Sequence, residues 1–234
     1  MTGMMTSTAL TGTLAVAMLS AAAPAGSGEE TGAAAPDTEW EILFDGTGLD
    51  KWEYRPGGWH IEEGVLAWGE NAGFIWTKKP YGDFVLELEF KLADKTNSGV
   101  FIRAGDKRKP VQTSLEIQIL DSHGKETVGK HDCGAIYDAL APAVNTVKAP
   151  GEWNRMSITA RGSMVYVSLN GTPVVSADLE RWKEPGKNPD GTENKFKTPL
   201  RDFPRKGYIG LQDHKHPVWY RNIRILPLDA RPEK

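Results

Sequence analysis

Apolar and polar positions alternate along this chain in short runs with a period of two, separated by Gly, Pro, Asn and Asp. The clearest run is Phe84 to Leu92 (FVLELEFKL), where alternation places Phe84, Leu86, Leu88 and Phe90 on one face of a strand. Val100 to Ala104, Leu115 to Leu120, Arg155 to Ala160, Val165 to Leu169, Tyr208 to Leu211 and Val218 to Ile225 continue the series. Trp59 to Trp68 reads as strand, turn at Glu63-Gly64, strand. Asn170-Gly171, ahead of Pro173 to Val175, is a two-residue hairpin turn of the kind that favours positive φ. No segment sustains a 3.6-residue period with caps, so helix content is expected to be low. The pattern predicts an all-β fold of two antiparallel sheets, and the lack of an internal repeat argues against a propeller or solenoid.

The two ends of this pattern need composition to interpret them. The first 25 residues carry no charge, with an apolar stretch from Ala9 to Leu19 and small residues through Ala23-Pro24-Ala25. That profile predicts a signal peptide (1–25) cut after Ala25, and export to a periplasmic or extracellular compartment. The apolar run is too short to span a bilayer. Residues 26–38 are small, acidic and proline-punctuated, a linker with nothing to bury. The folded body is expected over 39–230. Lys183 to Pro199 is polar and rich in Pro, Gly and Lys, which predicts a long surface loop, either a solvated excursion or the rim of a site.

Of 234 residues, 39% are hydrophobic, enough for a core. The net charge of -3, with both signs interspersed, excludes the basic footprint that a nucleic-acid partner requires. The single cysteine, Cys133, excludes an intrachain disulfide and any CxxC metal or redox site.

The densest polar cluster is Asn97-Ser-Gly-Val-Phe-Ile-Arg103 followed by Leu115-Glu-Ile-Gln-Ile-Leu-Asp121. If Leu115, Ile117 and Ile119 face the core, Glu116 and Gln118 face the other way, and Phe101 and Arg103 join them when the two strands pair. An ordinary solvated sheet face with a cross-strand Arg–Glu pair has the same pattern. Sandwich glucanases carry a second acid on such a strand. Here Gln118 takes the middle acid position and Leu120 the i+4 position, so two-carboxylate glycoside hydrolysis lacks its partner. A second cluster runs from Gly207 to Arg224. In it Gln212 and His214 point away from inward Ile209 and Leu211, and Asp213, His214 and His216 are residue types that bind a metal or serve turn hydrogen bonding. Tyr137 offers a phenol as proton donor, and Trp59, Trp68, Trp76 and Trp219 offer rings for stacking on sugars or for the core.

At these stretches the sequence resembles the 3-keto-glucoside-1,2-lyase and 3-keto-2-hydroxyglucal hydratase domains, also called 3-keto-disaccharide hydrolases. The matching segments are Trp40 to Gly46 with Leu49 to Trp52, Asn97 to Arg103, Leu115 to Asp121, Gly134 to Tyr137, Gly151 to Asn154, and Gly207 to Ile223. Lys215-His216 and Ser114 depart from the family pattern. The resemblance implies a concanavalin-like jelly-roll sandwich. It also implies chemistry on an oxidised (3-keto) di- or oligosaccharide, in which the ketone makes the C2 proton acidic and the C1 oxygen a leaving group. Such a site needs a base, an enolate stabiliser and an acid. The expected assignments are Glu116 or His214 as base, Arg103 or a divalent metal ion near Asp213 and His214 as stabiliser, and Tyr137 or water as acid. Gln118, Gln212, Trp219 and Phe101 are expected to contact substrate. No nucleotide or organic cofactor is expected. The alternative is a noncatalytic carbohydrate-binding module, since fold alone does not decide.

Overall fold

A computed structural model describes residues Glu39–Leu228. The expected signal peptide, the linker and residues 229–230 lie outside the described residues. No helix among the described residues is long and apolar enough to cross a membrane.

The strands are β1 (Glu41–Phe44), β2 (Trp52–Glu53), β3 (His60–Glu62), β4 (Val65–Ala67), β5 (Ile75–Thr77), β6 (Phe84–Leu92) and β7 (Asn97–Ala104). They continue with β8 (Leu115–Leu120), β9 (Trp153–Arg161), β10 (Met164–Leu169), β11 (Thr172–Asp178), β12 (Tyr208–Leu211) and β13 (Val218–Pro227). Among the described residues helix is limited to one turn, Pro110–Thr113, and two short 3-10 turns. An eight-stranded antiparallel sheet runs β11-β10-β9-β6-β13-β4-β3, with β1 also on β13, and a five-stranded sheet runs β2-β5-β12-β7-β8. The fold is the all-β jelly-roll sandwich.

Alternation builds it. On β6, Phe84, Leu86, Leu88, Phe90 and Leu92 are buried and the residues between them are half-buried. They pack against Val100 and Ile102 of β7, Ile117 and Ile119 of β8, and Ile209 and Leu211 of β12 in one continuous core. Each such side chain contributes about 1.5–3 kcal/mol on full burial. The turns follow their residues as well: Asn170 (φ 53) and Gly171 (φ 82) close β10 onto β11 with Leu169 opposite Thr172.

One irregularity shapes the site. Between β7 and β12 the register steps from Tyr208↔Ala104 to Gly210↔Phe101, so β7 carries one extra residue, a β-bulge. Arg103 sits in it at φ 54 and is 1% exposed. Its guanidinium donates to Gly82 O (2.9 Å), Gly162 O (2.8 Å) and the Asp83 carboxylate (2.7 Å). The expectation that Arg103 shares a face with Glu116 is therefore corrected: the bulge turns it away to fasten β7 to the turn before β6 and the turn after β9.

Candidate active site

The outer face of the five-stranded sheet is a grid set by register. Beyond β8 its edge is extended by residues 134–137: Gly134 N–H donates to Gln118 O, Gln118 N–H to Ala135 O, and Tyr137 N–H to Glu116 O at 2.8–2.9 Å. One row across the face reads Trp76, Gly210, Phe101, Glu116, Tyr137. The next reads Gln212, Gly99, Gln118, Ala135.

Two glycines in this grid are required by close approach. A Cβ on Gly210 would lie 2.4 Å from the Trp76 ring, so the indole can lie flat across the strand only over glycine. Trp76 then packs on Phe101 and Phe74 with ring centroids 5.7 and 5.9 Å away. A Cβ on Gly99 would come within 2.6 Å of Glu116 Oε1. Its absence lets the Glu116 side chain lean across β7, where Gln212 Nε2 donates to Oε1 at 2.7 Å.

Glu116 is 7% exposed, and burial pushes its pKa up to about 7 against the pull of Lys195 and the Gln212 hydrogen bond. The Lys195 ammonium lies 3.7 Å from the Tyr137 ring centroid. Burial lowers the Lys195 pKa, while Glu116 and Asp138 work the other way. Burial, then the charges of Glu116 and Asp138, raise Tyr137, so its phenol keeps its proton at neutral pH. Asp138 holds the surroundings together: one carboxylate oxygen pairs with His131 Nε2 at 2.9 Å and the other accepts the Lys195 backbone N–H at 2.7 Å. Burial of Asp138 is outweighed by these bonds and by Lys130, leaving its pKa below the usual range. The His131 ring lies 4.7 Å from that of Tyr137.

Of the residues singled out in the sequence, Glu116, Gln118, Gln212, Phe101 and Tyr137 come together on this face. Gln118 is 2% exposed and donates to Asn97 Oδ1 at 3.2 Å. His214 is exposed, on the turn beyond Gln212, with its ring stacked on His216 at 5.9 Å. Trp219 is not part of the group. On β13 its neighbours Val218 and Tyr220 are buried in the core, which sends Trp219 to the far side of the eight-stranded sheet under Lys91. Trp59 is in the core, donating to Gly73 O.

Asp213 does not fit as a metal ligand. Its oxygens accept from Trp68 Nε1 (2.7 Å), Gly73 N–H (2.7 Å) and Lys215 N–H (2.8 Å), bonds that hold its pKa below the usual range although burial opposes them. Among the described residues no group of three or more His, Cys, Asp or Glu side chains is arranged to hold an ion.

Lys195 escaped the sequence reading because its loop is rich in lysines of identical appearance. The usable signal was its neighbour Phe196, an isolated aromatic in a polar stretch, which is buried edge-on against Phe203 at 5.5 Å and draws the loop inward.

The fold and site together define a jelly-roll sandwich whose smaller sheet carries one buried carboxylate, Glu116, among Tyr137, Gln118 and Gln212. Residues 39–226 match the 3-keto-alpha-glucoside-1,2-lyase-like domain, and the chain belongs to that family. It is similar to a 3-keto-disaccharide hydrolase of Bacteroides thetaiotaomicron, 26% identical over 226 residues covering 80% of this chain and 78% of that protein. It is also similar to the crystal structures of two candidate glycosyl hydrolases of Parabacteroides distasonis. The first is 39% identical with a TM-score of 0.75, over 81% of this chain and 100% of that one. The second is 26% identical with a TM-score of 0.66, over 81% and 94%.

Proposed function

We propose that this protein cleaves 3-keto-glycosides by abstraction of the C2 proton and elimination at C1, with Glu116 as the base. The observation that carries the reading is the single buried carboxylate at the centre of the face, held by Gln212 and lifted to a pKa of about 7. A base poised near neutral pH suits removal of a proton made acidic by an adjacent ketone. Two-carboxylate hydrolysis is a poorer fit, because the same strand offers Gln118 and Leu120 where a second acid would stand. Family membership and the name of the Bacteroides relative support the same substrate class.

The electrons balance as follows. Glu116 takes the C2 proton, the C–H pair becomes the C2–C3 double bond, and the C3 oxygen takes the negative charge. Return of that pair to C2 and C1 expels the glycosidic oxygen, which receives a proton from Tyr137, and leaves a C1–C2 double bond beside the restored ketone. Addition of water across that bond gives net hydrolysis. Gln212 fixes the orientation of the carboxylate, and His214, exposed on the turn, belongs to the rim.

Glu116→Gln keeps the shape of the side chain and removes the base. Turnover of a 3-keto-disaccharide is expected to fall by about 100-fold or more, with a smaller loss for His214→Ala. Retained activity in Glu116→Gln would dismiss the assignment. Incubation with unoxidised glucans separates cleavage from retention alone, which is all that a binding module would show.

A further inference from the structure

Residues of this face carry buried polar atoms without partners, and the cation beside them is of opposite kind. Gln118 Oε1 and Gln212 Oε1 are buried and accept no hydrogen bond, while their amide N–H groups are engaged by Asn97 and Glu116. Amide oxygens can only accept. The Lys195 ammonium is the opposite case, a group that can only donate. It lies on the Tyr137 ring within electrostatic reach of Glu116 and Asp138, and among the described residues its Nζ has no hydrogen-bond acceptor. A ligand for this face has to bring O–H donors to the two glutamines and an oxygen acceptor to the lysine. A sugar ring carrying a ketone has that pattern: its carbonyl oxygen accepts and its hydroxyls donate.

We propose that Lys195 is the catalytic residue that binds the C3 ketone, holding the charge its oxygen gains as Glu116 takes the C2 proton, while Gln118 and Gln212 accept from ring hydroxyls. The inference rests on the elimination reading above and gives it the enolate stabiliser that Arg103 does not supply. Lys195 is held in place before substrate arrives. Its backbone N–H donates to Asp138 at 2.7 Å and its carbonyl accepts from Gln112 Nε2 at 3.0 Å, so the side chain needs little reorganisation when charge develops. Neither clamp uses the ammonium, and a substitution that removes the charge leaves both intact.

Lys195→Met keeps the aliphatic stem on Tyr137 and deletes the donor. With a 3-keto-disaccharide, kcat is expected to fall by about 100-fold or more, with KM changed much less and part of the rate restored in Lys195→Arg. Near-UV circular dichroism reports whether the fold is intact, and Lys195→Gln serves under the same criterion should the methionine variant misfold. A folded Lys195→Met or Lys195→Gln protein with kcat within about twofold of wild type would overturn this role and leave the elimination reading standing. A wild-type protein inert on 3-keto-disaccharides would overturn both.

Discussion

A carboxyl that ionises near neutrality inside a folded protein leaves a mark on stability as well as on rate. Glu116 has an ordinary value of 4.5 and is raised to about 7 by burial. Between those two values the folded state holds a proton that the unfolded state has released, so stability decreases as pH rises through the window. The loss is on the order of 3 kcal/mol once pH exceeds about 7. Glu116→Gln cannot ionise and escapes this loss. Its Tm relative to wild type is expected to be higher at pH 8 than at pH 5, measured by thermal unfolding at both values. An equal difference at the two pH values would show that Glu116 is not held above its ordinary range. On the activity side the sign reverses: a base proposed at Glu116 would work deprotonated, so kcat/KM of wild type is expected to rise through about pH 7, and a pH–rate profile flat across that range would count against the assignment.

At the scale of elements, what alternates was readable and what bends was not. The run Phe84 to Leu92 matches β6 at both ends, Glu63-Gly64 and Asn170-Gly171 form their turns, and Glu116 and Gln118 face away from the core because Ile117 and Ile119 fill it. The short strands β1, β2 and β5 have two to four residues, too few for a period to register. Arg103 was misplaced because one extra residue in β7 inverts the facing of everything after it, and an insertion of that kind leaves no trace in alternation. Tyr137 reaches Glu116 through pairing of residues 134–137 along β8, a long-range event that spacing in the sequence does not encode. The bulge also gives a prediction. Arg103→Met removes one partner of Asp83, which keeps the Gly162 N–H at 2.9 Å, and leaves the Gly82 and Gly162 carbonyls short of donors. It is expected to cost about 2–4 kcal/mol in denaturant unfolding, mainly through the two carbonyls it strands. A loss below about 1 kcal/mol would mean that these bonds are replaced by water.

For the molecule as a whole, the sandwich supplies a rigid floor and the loop from Lys183 to Pro199 supplies a cation above it, so the site depends on how firmly that loop is held. Asn188 is the hinge of the attachment. It is 6% exposed, accepts from Trp182 Nε1 at 2.9 Å and from Asn194 Nδ2 at 2.9 Å, and donates to Asp138 O at 3.3 Å. It joins the loop to the residue whose carboxylate holds both His131 and the Lys195 backbone. Asn188→Ala strands the buried indole N–H and removes the bond to the Asp138 carbonyl, at a cost of about 1–3 kcal/mol. The Lys195 N–H to the Asp138 carboxylate is left as the remaining tie of the loop to that residue. Because no core side chain changes, amide exchange is expected to quicken across 183–199 while β6 and β9 keep their protection. The rate should follow the loop: with Lys195 less well placed, kcat is expected to fall, by up to the roughly 100-fold that a misplacement of about 1 Å can cost. Faster exchange in the loop with kcat unchanged would mean that the lysine finds its position without the clamp, and the preorganisation argued for it would be withdrawn.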